Sequence, residues 1–146
     1  ALVENLELYE NNQRAFMRHL GEVIHYLADY FTFPHNTIYP GNLKDHCVYE
    51  GEMKLYLRQY LLDGRARAEQ KAPVKLASLE QLYAFIQKSH DEYLKLRHSI
   101  EEDCRYIVNL CYQVVATIIE LFTDNCHQAA LAQSDIFSGH LLGGIV

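Results

Sequence analysis

The sequence predicts an all-α protein, an up-and-down bundle of about four helices with one long helix. Three observations carry that prediction. From Ser78 to Phe122, the residues Leu79, Leu82, Ile86, Ser89, Tyr93, Leu96, Ile100, Cys104, Ile107, Cys111, Val114, Ile118 and Leu121 step by three and four without a slip. That is the period of a helix face, whereas a strand would alternate every second residue. A second seam runs through Leu2, Leu6, Tyr9, Gln13, Phe16, Leu20, Val23, Leu27 and Tyr30, widened by Met17, Ile24 and Phe31 into the broad stripe of a core-facing helix. Prolines, glycines and asparagines gather between these seams rather than inside them.

Residues 2–31 therefore form the first helix, with Glu4, Glu7 and Glu10 favourably placed against its N-terminal dipole. Phe33 to Asn42 breaks it through Pro34, Pro40 and Gly41, and Phe33, Ile38 and Tyr39 are expected to pack this loop onto the end of the bundle. Leu43 to Leu62 is the next helix, capped by Asn42 and stopped by Asp63-Gly64. Gly51 inside it is expected to mark a close helix crossing.

Ser78-Leu79-Glu80-Gln81 is a capping box that opens the long seam. A second box, Ser99-Ile100-Glu101-Glu102, lies midway. Continuous phase and the lack of Gly or Pro near His98 favour one helix over 78–122, bent near Ser99. Helix-length statistics and the second box favour a turn there. Asp124 to Gln133 adds a last helical piece. The domain is thus 1–133, followed by an apolar, glycine-containing tail at 134–146. In that tail Ile136, Phe137, Leu141 and Leu142 are candidate contacts for a groove or a neighbouring subunit.

A chain of 146 residues fits one domain that folds without a metal or disulfide staple. The formal charge of −6 argues against a general nucleic-acid binder. Arg65, Arg67, Lys71 and Lys75 form the one basic segment, read either as a solvated connection or as a phosphate contact. The longest stretch without charge, Tyr106 to Ile119, spans 14 residues and is too short to cross a membrane. Four cysteines without a C-x-x-C pair suggest a reduced, cytoplasmic setting, with Cys104 and Cys111 as small buried hydrophobes.

Eight histidines raise the question of metal. Glu22 and His25 form E-x-x-H, half of a carboxylate-bridged di-iron signature, but no second E-x-x-H exists. His46 with Glu50, together with His90 and His98, completes the set of weak metal-ligand candidates, against a plainer reading as surface or capping histidines. No G-x-S-x-G, phosphate loop or paired catalytic carboxylates stand out, and Glu101, Glu102 and Asp103 read as a solvated acidic run. Eleven tyrosines suit half-exposed packing positions.

The function expected on this basis is a non-enzymatic interaction or regulatory module, working through a protein partner or homo-oligomerisation, with no cofactor. A helical metal- or small-ligand-binding protein using His and Glu side chains is the alternative. Phosphate or nucleic-acid contact through 65–75 is the third reading.

Overall fold

The computed structural model describes the backbone of residues 2–141 and the side chains of residues 12–125 and 128. Among them are five α-helices, one short 3-10 turn and no strand: α1 (Leu2–Tyr30), the turn Phe33–His35, α2 (Leu43–Leu62), α3 (Arg65–Ala68), α4 (Leu79–Tyr93) and α5 (Ile100–Leu141). The predicted all-α bundle is what the chain forms.

The long seam is two helices, not one. The expectation of an unbroken 78–122 helix gives way to a break at 94–99. At the end of α4, Lys95 and Leu96 donate to Glu92 and Tyr93, tight bonds that close the last turn. Ser99 then caps α5, its Oγ accepting from the Glu102 amide at 3.2 Å. The reversal uses ordinary backbone, since no non-glycine residue in the described chain has positive φ. Both helices pack antiparallel on one core, and the three-and-four spacing runs on through residues 94–99 although they are not helical and Leu96 among them is 41% exposed. Tyr93 meets Asp103 at the turn, and Leu79 lies with Ile118 and Leu121 at the far end.

That core consists of Leu27, Phe31, Leu82, Tyr93, Ile107, Leu110 and Val114, with a second cluster of Tyr60, Ala66 and Cys104 beneath α2 and α3. Ile100–Asn125 is apolar and long enough to cross a membrane by length and composition. Its inner face, however, is the floor on which α1, α2 and α4 sit, and it buries the polar Asp103, Gln113 and Thr117. The backbone of α5 is helical through Leu141, where glycines predict an irregular tail. A lone Gly139 weakens an established helix by only about 1 kcal/mol relative to Ala, so it does not stop one. The side chains of Ile136, Phe137 and Leu141, and Leu142 altogether, lie outside the described residues.

Asn42 caps α2 through the amides of Lys44 and Asp45 at 2.8 and 3.1 Å, and Asp45 returns a bond to the Asn42 amide. Gly64, at φ 81°, makes the left-handed stop that Asp63-Gly64 predicts. Gly51 marks no helix crossing, since a Cβ there would meet nothing within 4 Å. Between α3 and α4 the chain runs as a strap along α5. Lys71 donates its amide to Asn109, and Gln113 bonds Val74 twice, at 2.7 Å to the amide and 2.8 Å to the carbonyl.

Candidate metal centre

Pro34 lies in the first turn of the 3-10 element, where its fixed φ suits a helical start. The turn directs His35 toward α2. There His46 and Glu50, one helical turn apart, share a face. His35 Nε2 lies 2.8 Å from Glu50 Oε1, and His46 Nε2 lies 2.9 Å from the same oxygen. The two imidazoles stand 4.9 Å apart, edge to face. The ligating atoms of all three residues fall within 4.8 Å of one another. Their side chains are 31%, 25% and 43% exposed, open enough for solvent and a substrate to reach. The hydrogen bonds from His35 and then His46 hold the Glu50 carboxyl below its ordinary range.

Behind this cluster sits a fully buried carboxylate. Asp103 Oδ2 accepts the Phe33 amide at 2.8 Å and the Tyr49 hydroxyl at 2.8 Å, and Oδ1 accepts the Tyr93 hydroxyl at 2.7 Å. Phe33 is two residues from His35, and Tyr49 adjoins Glu50. Asp103 therefore ties both halves of the cluster to α5. Burial raises its pKa, against the pull of the three donors and of nearby His98. Burial, and then the carboxylate itself, push the Tyr49 and Tyr93 hydroxyls upward. The expectation that Asp103 belongs to a solvated acidic run is corrected here. Only Glu101 and Glu102 face outward, and both pair with Arg105.

The other candidates separate from one another. Glu22 bonds His19 at 3.2 Å, while His25 pairs with Asp29 at 3.6 Å, so the E-x-x-H pair does not close on itself. His90 is a core residue. Its ring stacks on Tyr30 at 3.5 Å, its Nε2 meets Asn36 at 2.9 Å, and burial lowers its pKa. His98 stacks flat on Phe33 at 4.3 Å, and both ring nitrogens are buried without a hydrogen-bond partner among the described residues.

Sequence reasoning singled out His46 and Glu50 but missed His35. Its one signal was a Pro-His pair directly after a helix end, which reads as loop until the turn is folded against α2.

The basic segment disperses. Arg65 bonds Asp63 at 2.8 Å and lies over the rings of Tyr56 and Tyr60. Lys75 reaches Glu120 at 3.7 Å. Arg67 is exposed. Lys71 lines a cavity of about 530 Å³ beside Lys88, Glu92 and Tyr106. No single phosphate patch results. Burial pushes the Cys104 thiol up to about 12 and Cys111 up to about 11, so neither is a thiolate nucleophile.

A family model described as zinc dependent phospholipase C matches residues 1–100, about two thirds of the chain. No curated protein and no solved structure matches it. The family match overturns the expected non-enzymatic interaction or regulatory module and favours the metal-binding alternative. The residues present fit the metal. Two imidazole nitrogens and one carboxylate oxygen form a donor set of catalytic zinc sites, which leave a coordination position open.

Proposed function

The chain belongs to the zinc-dependent phospholipase C family, and on that premise we propose that it hydrolyses the phosphodiester of a phospholipid at a centre formed by His35, His46 and Glu50. One observation carries the reading: two histidines from separate segments converge on a single oxygen of Glu50. The His46–Glu50 contact alone is an ordinary pair one helical turn apart; His35, arriving from a separate segment, makes it a three-donor cluster. A zinc ion bound there would supply Lewis acidity toward the phosphoryl oxygens and would activate water.

The protein's own residues do the rest. Glu50 would serve as the anionic ligand, its carboxyl held below its ordinary range by the two imidazoles. Asp103 fixes the turn bearing His35 and the helix bearing His46, so the three donors keep their spacing. The reaction adds water across the bond from phosphorus to the glycerol oxygen. Phosphorus gains the water oxygen, the glycerol oxygen gains a proton, and diacylglycerol and a phosphomonoester leave.

The absence of a membrane span remains part of the proposal, supported by the buried Asp103, Gln113 and Thr117 on the core face of α5. A cytoplasmic setting rests only on the free thiols of Cys47, Cys104 and Cys111.

The test uses mixed micelles of detergent and phosphatidylcholine, reading diacylglycerol release. Activity should vanish with a chelator and return with zinc, and His46→Ala should abolish it in either condition. Hydrolysis indifferent to both chelator and His46→Ala would overturn the reading.

A further inference from the structure

A surface helix normally buries its apolar residues on one face and shows a polar face to solvent. α2 carries apolar side chains on both faces, but only one is covered. Met53, Tyr56, Leu57 and Tyr60 turn inward. On the outside, Leu43 is 78% exposed, Val48 52%, Leu55 70%, Leu61 54% and Leu62 73%. At about 100° per residue these side chains, with exposed Cys47, spread over roughly half of the helix circumference.

The polar residues in the same arc are not a random sample of the surface. They are Lys44, Lys54, Arg58 and the neutral Gln59, with Gly51 between them. None of the three cations has an ion pair among the described residues. The helix's acidic residues outside the metal cluster, Asp45 and Glu52, sit at the border of the arc, and Asp45 is occupied in the capping box. A chain of formal charge −6 thus carries a stripe of three cations interleaved with leucines. Leu43 and Leu61 stand at the edge of the arc nearest Glu50, whose helix face also carries His46.

We propose that the outer face of α2 is a docking surface for an anionic lipid bilayer, with the leucines entering the headgroup boundary and Lys44, Lys54 and Arg58 meeting the lipid phosphates. Both parts of this composition are needed at a membrane interface: apolar area for insertion and basic residues for the negative surface. A second copy packed symmetrically on this face would set the same three cations against one another, and a neutral protein groove would leave them unpaired. The surface deepens the lipid-hydrolase reading by setting the metal cluster beside the bilayer, but the binding itself needs no metal.

The test is sedimentation of the full chain with extruded vesicles, once of pure phosphatidylcholine and once with a third of the lipid replaced by phosphatidylserine. The protein should bind the anionic vesicles at least about ten-fold more tightly, and raised salt should erase most of the difference. Lys54→Gln with Arg58→Gln should remove that preference. Leu55→Ser with Leu62→Ser should weaken binding to both vesicle types by about a hundred-fold. Because these residues are exposed, melting temperature should not change, and the charge variant serves if the leucine variant fails to fold.

A Glu50→Gln protein should still bind vesicles, which separates this proposal from the metal reading. Equal binding to neutral and anionic vesicles, or no binding to either, would overturn it. So would a dimer in solution that falls to monomer with Leu55→Ser and Leu62→Ser, since a second copy would then own the face.

Discussion

The amide of Phe33 donates to the buried carboxylate of Asp103 at 2.8 Å across 70 residues of sequence. That single bond anchors the turn carrying His35 to the longest helix of the chain. Tyr49 brings α2 to the same oxygen. Replacing Asp103 with Asn keeps one acceptor but turns an amide nitrogen toward donors that need an oxygen. Asp103→Asn should therefore destabilise the fold by about 3 kcal/mol in urea unfolding. Zinc affinity should drop at least about ten-fold as His35 and Glu50 lose their fixed spacing. An Asp103→Asn protein with unchanged zinc affinity would reduce this carboxylate to a purely structural role.

Acid should act on the cluster through Glu50. Its carboxyl sits below the ordinary value of 4.5 because His35 and His46 bond to it. A carboxyl depressed by folding adds stability above its unfolded value and loses it as pH falls through the depressed one. Glu50→Gln should therefore melt below wild type at neutral pH, and the gap should close as pH drops below 4.5. Parallel melting curves at every pH would contradict the depressed carboxyl.

The strap along α5 depends on one side chain. Gln113 is 5% exposed and holds both the amide and the carbonyl of Val74. Gln113→Ala should cost about 1 kcal/mol, limited because water can reach the half-exposed Val74. Hydrogen exchange should localise the change, with the Val74 amide exchanging much faster and the core amides of α1 unchanged.

The thiols should divide by burial. Cys47 is exposed, whereas Cys104 and Cys111 are held in the core with raised pKa values. A maleimide at neutral pH should modify Cys47 within minutes and leave Cys104 and Cys111 intact until the protein unfolds, as read by peptide mass mapping.

The helices were legible because they rest on local rules: seams of three and four, and the caps at Asn42, Ser78 and Ser99. The break between α4 and α5 was harder. The six residues of the turn happen to continue the three-and-four spacing, so periodicity does not show the reversal that the Ser99 cap marks. The metal cluster was half legible. His46 and Glu50 are one turn apart, but His35 joins them only through a folded turn, and no spacing rule encodes that. Asp103 was misread because its charge argues for solvent. Only the tertiary fold supplies the three donors that let it sit inside.

Metal analysis tests the central claim most directly. Protein purified without a histidine tag, exposed to zinc and then dialysed, should retain at least one equivalent of zinc per chain. A variant carrying His35→Ala, His46→Ala and Glu50→Gln should retain none while keeping a helical, cooperatively melting fold. Zinc held equally by the wild type and this folded triple variant, or by neither, would contradict the assignment of this cluster as the metal centre.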